Sequence, residues 1–142
     1  MTRTRFAVML GLLLASALTL TAQASRTFKT RLATVPVEAA TAASLTGSGE
    51  VTATLTGNHL VLKGTFKGLR APATVARLHV APKGLRGPAF ADVMVTKATS
   101  GTITGDLMLA PTQADHVARN RVYVQIHSES APEGNLWGWL LP

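Results

Sequence analysis

Arg77 and His79 occupy alternate positions in the run ATVARLHV, and His127 closes a second apolar run, RVYVQIH. Imidazole nitrogens bind copper and zinc, so the first chemistry to weigh is a metal contact through His79 and His127. A first-row metal needs three or four donors converging at about 2.0 to 2.1 Å. Arg77 supplies none, because a guanidinium stays protonated and repels a cation. His59 adjoins a turn and His116 falls on a short helical stretch, and no spacing ties either to the pair. An Arg77 turned to an acidic partner such as Asp92 or Glu129 would close the metal reading. Two solvent-facing or hydrogen-bonded histidines are the simpler expectation.

Other residues offer contact rather than catalysis. The loop KGLRGP lacks the Lys-Ser or Lys-Thr ending of a phosphate loop, so its glycines read as turn formers, while Lys83 and Arg86, with Arg77, remain as contacts for an anion or a partner. Trp137 and Trp139 share one face of a strand, where two indoles make a platform for a sugar or a partner's apolar patch; the competing reading has them cap the core. Ser128 and Ser130 lie in the turn SESAPEG with Glu129 and Glu133, without a nucleophile elbow or an ordered acid, so no catalytic residue is assigned.

These side chains must be positioned by strands. Val51, Ala53 and Leu55 alternate with Thr52, Thr54 and Thr56, and Gly57-Asn58 turns the chain into residues 59–67, where Leu60, Leu62 and Phe66 share a face. Further runs at 74–80, 89–96, 101–109, 121–127 and 135–141 are bounded by Gly, Pro, Ser or Asn, and 28–37 reads as an edge strand. Only 111–120 departs from alternation, as a short helix with Ala114, Val117 and Ala118 inward. In 74–80 the core face is Ala76, Leu78 and Val80, which leaves Val75, Arg77 and His79 on the other side. By the same rule Tyr123, Gln125 and His127 oppose Val122, Val124 and Ile126. Many short strands with almost no helix argue for an antiparallel sandwich or barrel.

Composition limits what the strands can serve. Arg3 and Arg5 precede the apolar stretch 6–20 and Ala22-Gln23-Ala24 follows it, the pattern of an export signal over residues 1–24, expected to be helical. The mature domain is then 25–142, periplasmic or secreted, with no membrane span once the signal is removed. The chain has no cysteine, so ordinary packing must hold it in an oxidising compartment. The net charge of +7 falls by the two signal arginines to +5. Its scattered cations and few aromatics argue against a nucleic-acid surface.

The order of the segments GSGEVTATLTGNHLVLKGTFKGL, APATVARLHVAPKGLRGPAF, SGTITGDLML and RVYVQIHSESAPEGNLWGWL resembles the CHRD domain, the chordin-type repeat common as a single exported domain in bacteria. The resemblance runs from about Phe28 to the C-terminus and implies an antiparallel Greek-key β-sandwich, immunoglobulin-like or Cu/Zn superoxide dismutase-like. It also implies a His-x-His strand and a late histidine, which fall on Arg77, His79 and His127; Arg77 departs from the pattern, as does Trp137 where the family carries arginine. The expected protein is exported and non-enzymatic, with a binding or structural role at the cell envelope toward a ligand that the sequence does not identify. Copper or zinc binding through His79 and His127 is the alternative, and a dismutase-like oxidoreductase a weaker one.

Overall fold

The computed structural model describes residues 22–36 and 38–142, so most of the expected signal segment, with its helix, lies outside the described residues. Eight strands and one α-helix follow: β1 Ser25–Thr34, β2 Ser48–Thr56, β3 His59–Lys67, β4 Ala73–Val80, β5 Ala89–Val95, β6 Gly101–Met108, α1 Pro111–Ala118, β7 Val122–Ser128 and β8 Ala131–Trp139. The β2–β3 hairpin forms as its alternation predicts, with Gly57 at φ 59° in the turn. Helix α1 opens on Pro111, and the Gln113 side chain accepts from the Ala110 backbone N–H at 2.9 Å. It buries Ala114 and Val117 in the core.

The expected sandwich is corrected by the pairing of the strands. All eight form one closed antiparallel barrel in the order β1-β2-β3-β6-β5-β4-β7-β8. Closure rests on two strands that change partners. The first part of β1 pairs with β2, whereas its last residues pair with β8 (Ala33 with Trp137, Thr34 with Leu136). The first part of β5 pairs with β4, and Met94 and Val95 pair with Thr104 and Ile103 of β6. A Lys29–Leu141 bridge, N–H to O at 2.7 Å in one direction and 3.1 Å in the other, tightens the β1 seam. Inward and outward alternation is the same in a sandwich and a barrel, so hydrophobicity could not separate them; the outcome turns on four residue pairs at two corners. The expected edge strand at 28–37 therefore starts earlier and is not an edge.

Phe28, Leu32, Val51, Leu60, Leu62, Leu78, Ile103, Val124, Ile126 and Leu136 fill the interior. β7 departs from alternation in burial: every one of its residues is buried, on the outer face as well as the inner. A second layer must therefore cover that strand from outside, and it contains the residues singled out for chemistry.

Candidate functional site

Register places the site as a grid on the outer face. One row runs His79 (β4), Tyr123 (β7), Trp139 (β8); the next runs Asp92 (β5), Arg77, Gln125, Trp137, Ala33 (β1); in a third, Val75 faces His127. The alternation that sends Leu78, Val124 and Leu136 inward thus sends these side chains outward together. Tyr123, Gln125, His127 and Trp139 are buried there, His79, Arg77 and Trp137 are half-buried, and Asp92 and Ala33 are exposed. The His79 ring stacks on Tyr123 with centroids 4.8 Å apart and lies 6.3 Å from the His127 ring. Tyr123 meets Trp137 edge-on at 5.6 Å and Trp139 at 4.6 Å, and the two indoles meet edge-on at 4.6 Å.

Backbone carbonyls lock this layer. His79 Nδ1 donates to the Gly87 carbonyl at 2.9 Å, and His127 Nδ1 donates to the Pro132 carbonyl at 2.8 Å. A carbonyl only accepts, so Nδ1 carries a hydrogen in both rings. The Tyr123 hydroxyl accepts from the Gly87 N–H at 3.1 Å and donates to the Gly87 carbonyl at 3.3 Å. Trp139 Nε1 donates to the Ala81 carbonyl at 3.1 Å, and Gln125 Nε2 donates to the Glu133 carbonyl at 2.9 Å. A Cβ at Gly87 would strike the Val80 carbonyl oxygen, so only glycine lets the loop approach this closely.

The charges around the rings are mostly positive. Burial pushes the His79 pKa below the ordinary imidazole value, against the opposing hydrogen bond to Gly87; His127, Arg77 and Arg86 lower it further by repulsion. Arg86 lies 5.9 Å from the Trp137 ring centroid, on the outer side of the layer. Arg77 pairs with Asp92, Nε to Oδ1 at 3.0 Å, half-exposed.

The metal reading is corrected on these facts. Among the described residues no group of three or more His, Cys, Asp or Glu could hold a metal ion. His79 and His127 do approach, but Arg77 turns to Asp92 and no further donor joins the two imidazoles. His59 pairs with Asp106 at 2.6 Å on β3 and β6, and His116 sits on α1.

The indoles divide their roles. Trp139 is buried with Tyr123 and Ala81, so it caps packed structure, while Trp137 stays half-buried between that cluster and a second one of Val35, Leu45 and Ala131. Lys83 and Arg86 are exposed in the β4–β5 loop. Alternation missed one polar group, the buried Ser128–Asn135 pair: the Ser128 hydroxyl donates to Asn135 Oδ1 at 2.8 Å, and Asn135 Nδ2 donates to the Thr46 carbonyl at 2.8 Å. The expected turn from 128 to 134 narrows accordingly, with β7 running through Ser128 and β8 starting at Ala131. No spacing signal marks that pair, which ties segment 44–46 to β8.

The described residues form a closed antiparallel β-barrel with aromatic rings packed over the outer face of β7. The CHRD domain matches residues 20–140, and the chain belongs to the CHRD domain family. No curated protein and no solved structure matches the chain. The CHRD domain is non-catalytic and generally extracytoplasmic, so the role of this chain is structural or binding rather than enzymatic, in a location outside the cytoplasm. The dismutase-like alternative falls with both the sandwich and the metal site. Among the described residues no helix is long and apolar enough to cross a membrane.

Proposed function

We propose that the chain is an exported binding module whose contact surface is the ring-covered outer face of β4, β7 and β8, with loop 81–88 at its margin. Residues 1–24 serve as the export signal, and the mature domain begins at Ser25, in the periplasm or outside the cell. One observation carries the contact face: Tyr123, Gln125 and His127 are buried on the outside of a barrel wall, where alternation alone would leave them in water. The Tyr123 and His127 rings are fixed by hydrogen bonds to the Gly87 and Pro132 carbonyls, so little further ordering is needed on contact. Trp137 offers its half-exposed indole, with Arg77, Lys83 and Arg86 as the cations around it. Trp139 packs beside Tyr123 on the same face, its indole N–H held by the Ala81 carbonyl.

The test is co-sedimentation of the purified mature domain with isolated cell envelopes. The wild-type domain is expected in the pellet, and the double variant Arg86→Ala, Trp137→Phe, which keeps a ring for packing, should be retained several-fold less at unchanged circular dichroism. Equal retention of the two proteins would remove this face from the account. N-terminal sequencing of the exported protein is expected to start at Ser25.

A further inference from the structure

Three surface depressions run together beside that face. One, of about 520 Å³, lies between Arg31 and Lys67; a second, of about 370 Å³, between Lys29, Arg31 and Leu141; a third, of about 380 Å³, between Arg31, Lys83 and the two indoles. Arg31 borders all three, and Thr30 and Leu141 border both the second and the third, so the three adjoin in a trough-like row. It crosses β3, β2, β1 and β8 in turn, a span of about 14 Å at the usual strand spacing. The partner exchange of β1 accounts for its place: β1 leaves β2 to meet β8, and the wall bends along that line.

The chemistry of the lining is one-sided. Lys29, Arg31, Lys67 and Lys83 are exposed along it, against a single carboxylate, Glu50. None of these four cations belongs to an ion pair among the described residues. Hydroxyls of Ser48, Thr30, Thr52 and Thr65 stand between the cations, and the indoles close one end.

We infer that this trough binds an extended acidic polysaccharide. Its carboxylate or sulfate groups meet Arg31, Lys29, Lys67 and Lys83, its hydroxyls meet the threonines, and one sugar ring lies against Trp137 at the β8 end. The inference deepens the contact face proposed above and rests on it, adding the ligand class and the residues of β1 and β3. A nucleic acid fits less well, since a single strand asks for stacking rings along its whole track and here the exposed ring stands at one end only.

Calorimetric titration of the mature domain tests this with three probes: an oligogalacturonate of defined length, the same oligomer fully methyl-esterified, and an oligothymidylate of similar length. The acidic oligomer is expected to bind, to bind at least tenfold more weakly as its ester, and to weaken with added salt. The Arg31→Ala, Lys67→Ala variant should lose at least tenfold, and tryptophan fluorescence should change on binding. Equal affinity for the ester overturns the role of charge, and oligothymidylate binding as tightly as the sugar acid overturns the ligand class. If no probe binds while Arg86→Ala, Trp137→Phe still releases the domain from envelopes, the acidic glycan is wrong and the contact face stands. If that pair is silent too, both fall.

Discussion

At the scale of single residues, one carbonyl organises much of the outer layer. Gly87 accepts from His79 and exchanges two hydrogen bonds with Tyr123, in a position where any side chain meets the Val80 carbonyl. Gly87→Ala is therefore expected to destabilise the domain by about 1–3 kcal/mol, read from denaturant unfolding, because the loop must retreat from both rings. Acid acts on the same layer through His79. Its folded pKa lies below the unfolded value of 6.5, so its contribution is complete above that pH, where the ring is neutral in both states. Below it the unfolded chain takes up the proton first, and stability falls until the pH reaches the depressed native value. The groups facing His79 are His127, Arg77 and Arg86, all of which oppose the added charge. The melting temperature should drop between pH 8 and pH 5.5, and His79→Gln should flatten that dependence; an unchanged slope in the variant would rule out His79 as its source. Alternation made the outward direction of His79 and His127 legible. It could not reveal that the loop at Gly87 packs against His79 and Tyr123, because cover from a distant segment leaves no period in the strand itself.

At the scale of elements, the strands were legible and their closure was not. The β2–β3 hairpin carries its own turn signal and its own face, so sequence suffices there. The corners depend on where β1 and β5 change partners, and Ala33, Thr34, Met94 and Val95 carry no mark of that exchange. The same corners are the thinnest parts of the wall, two residue pairs each, against nine pairs between β2 and β3. Amide hydrogen exchange should report this: protection at the β1–β8 and β5–β6 contacts is expected to be lost well before protection at Leu62 or Val124. Uniform protection around the wall would mean that closure is as firm as the hairpins.

At the scale of the whole molecule, barrel and outer layer behave as one body, since Tyr123 and the indoles stand on β7 and β8, whose other faces line the core. Tryptophan fluorescence and far-ultraviolet circular dichroism are thus expected to follow a single unfolding curve, without cysteines to add a redox step. A fluorescence transition at lower denaturant would show the layer peeling away alone. The meeting of β1 with β8, reinforced at Lys29 and Leu141, also has a temporal meaning. The first wall of the barrel waits for the last strand to be delivered, so a chain crossing a membrane in the order of its synthesis stays open, and available to the translocation machinery, until nearly all of it has passed.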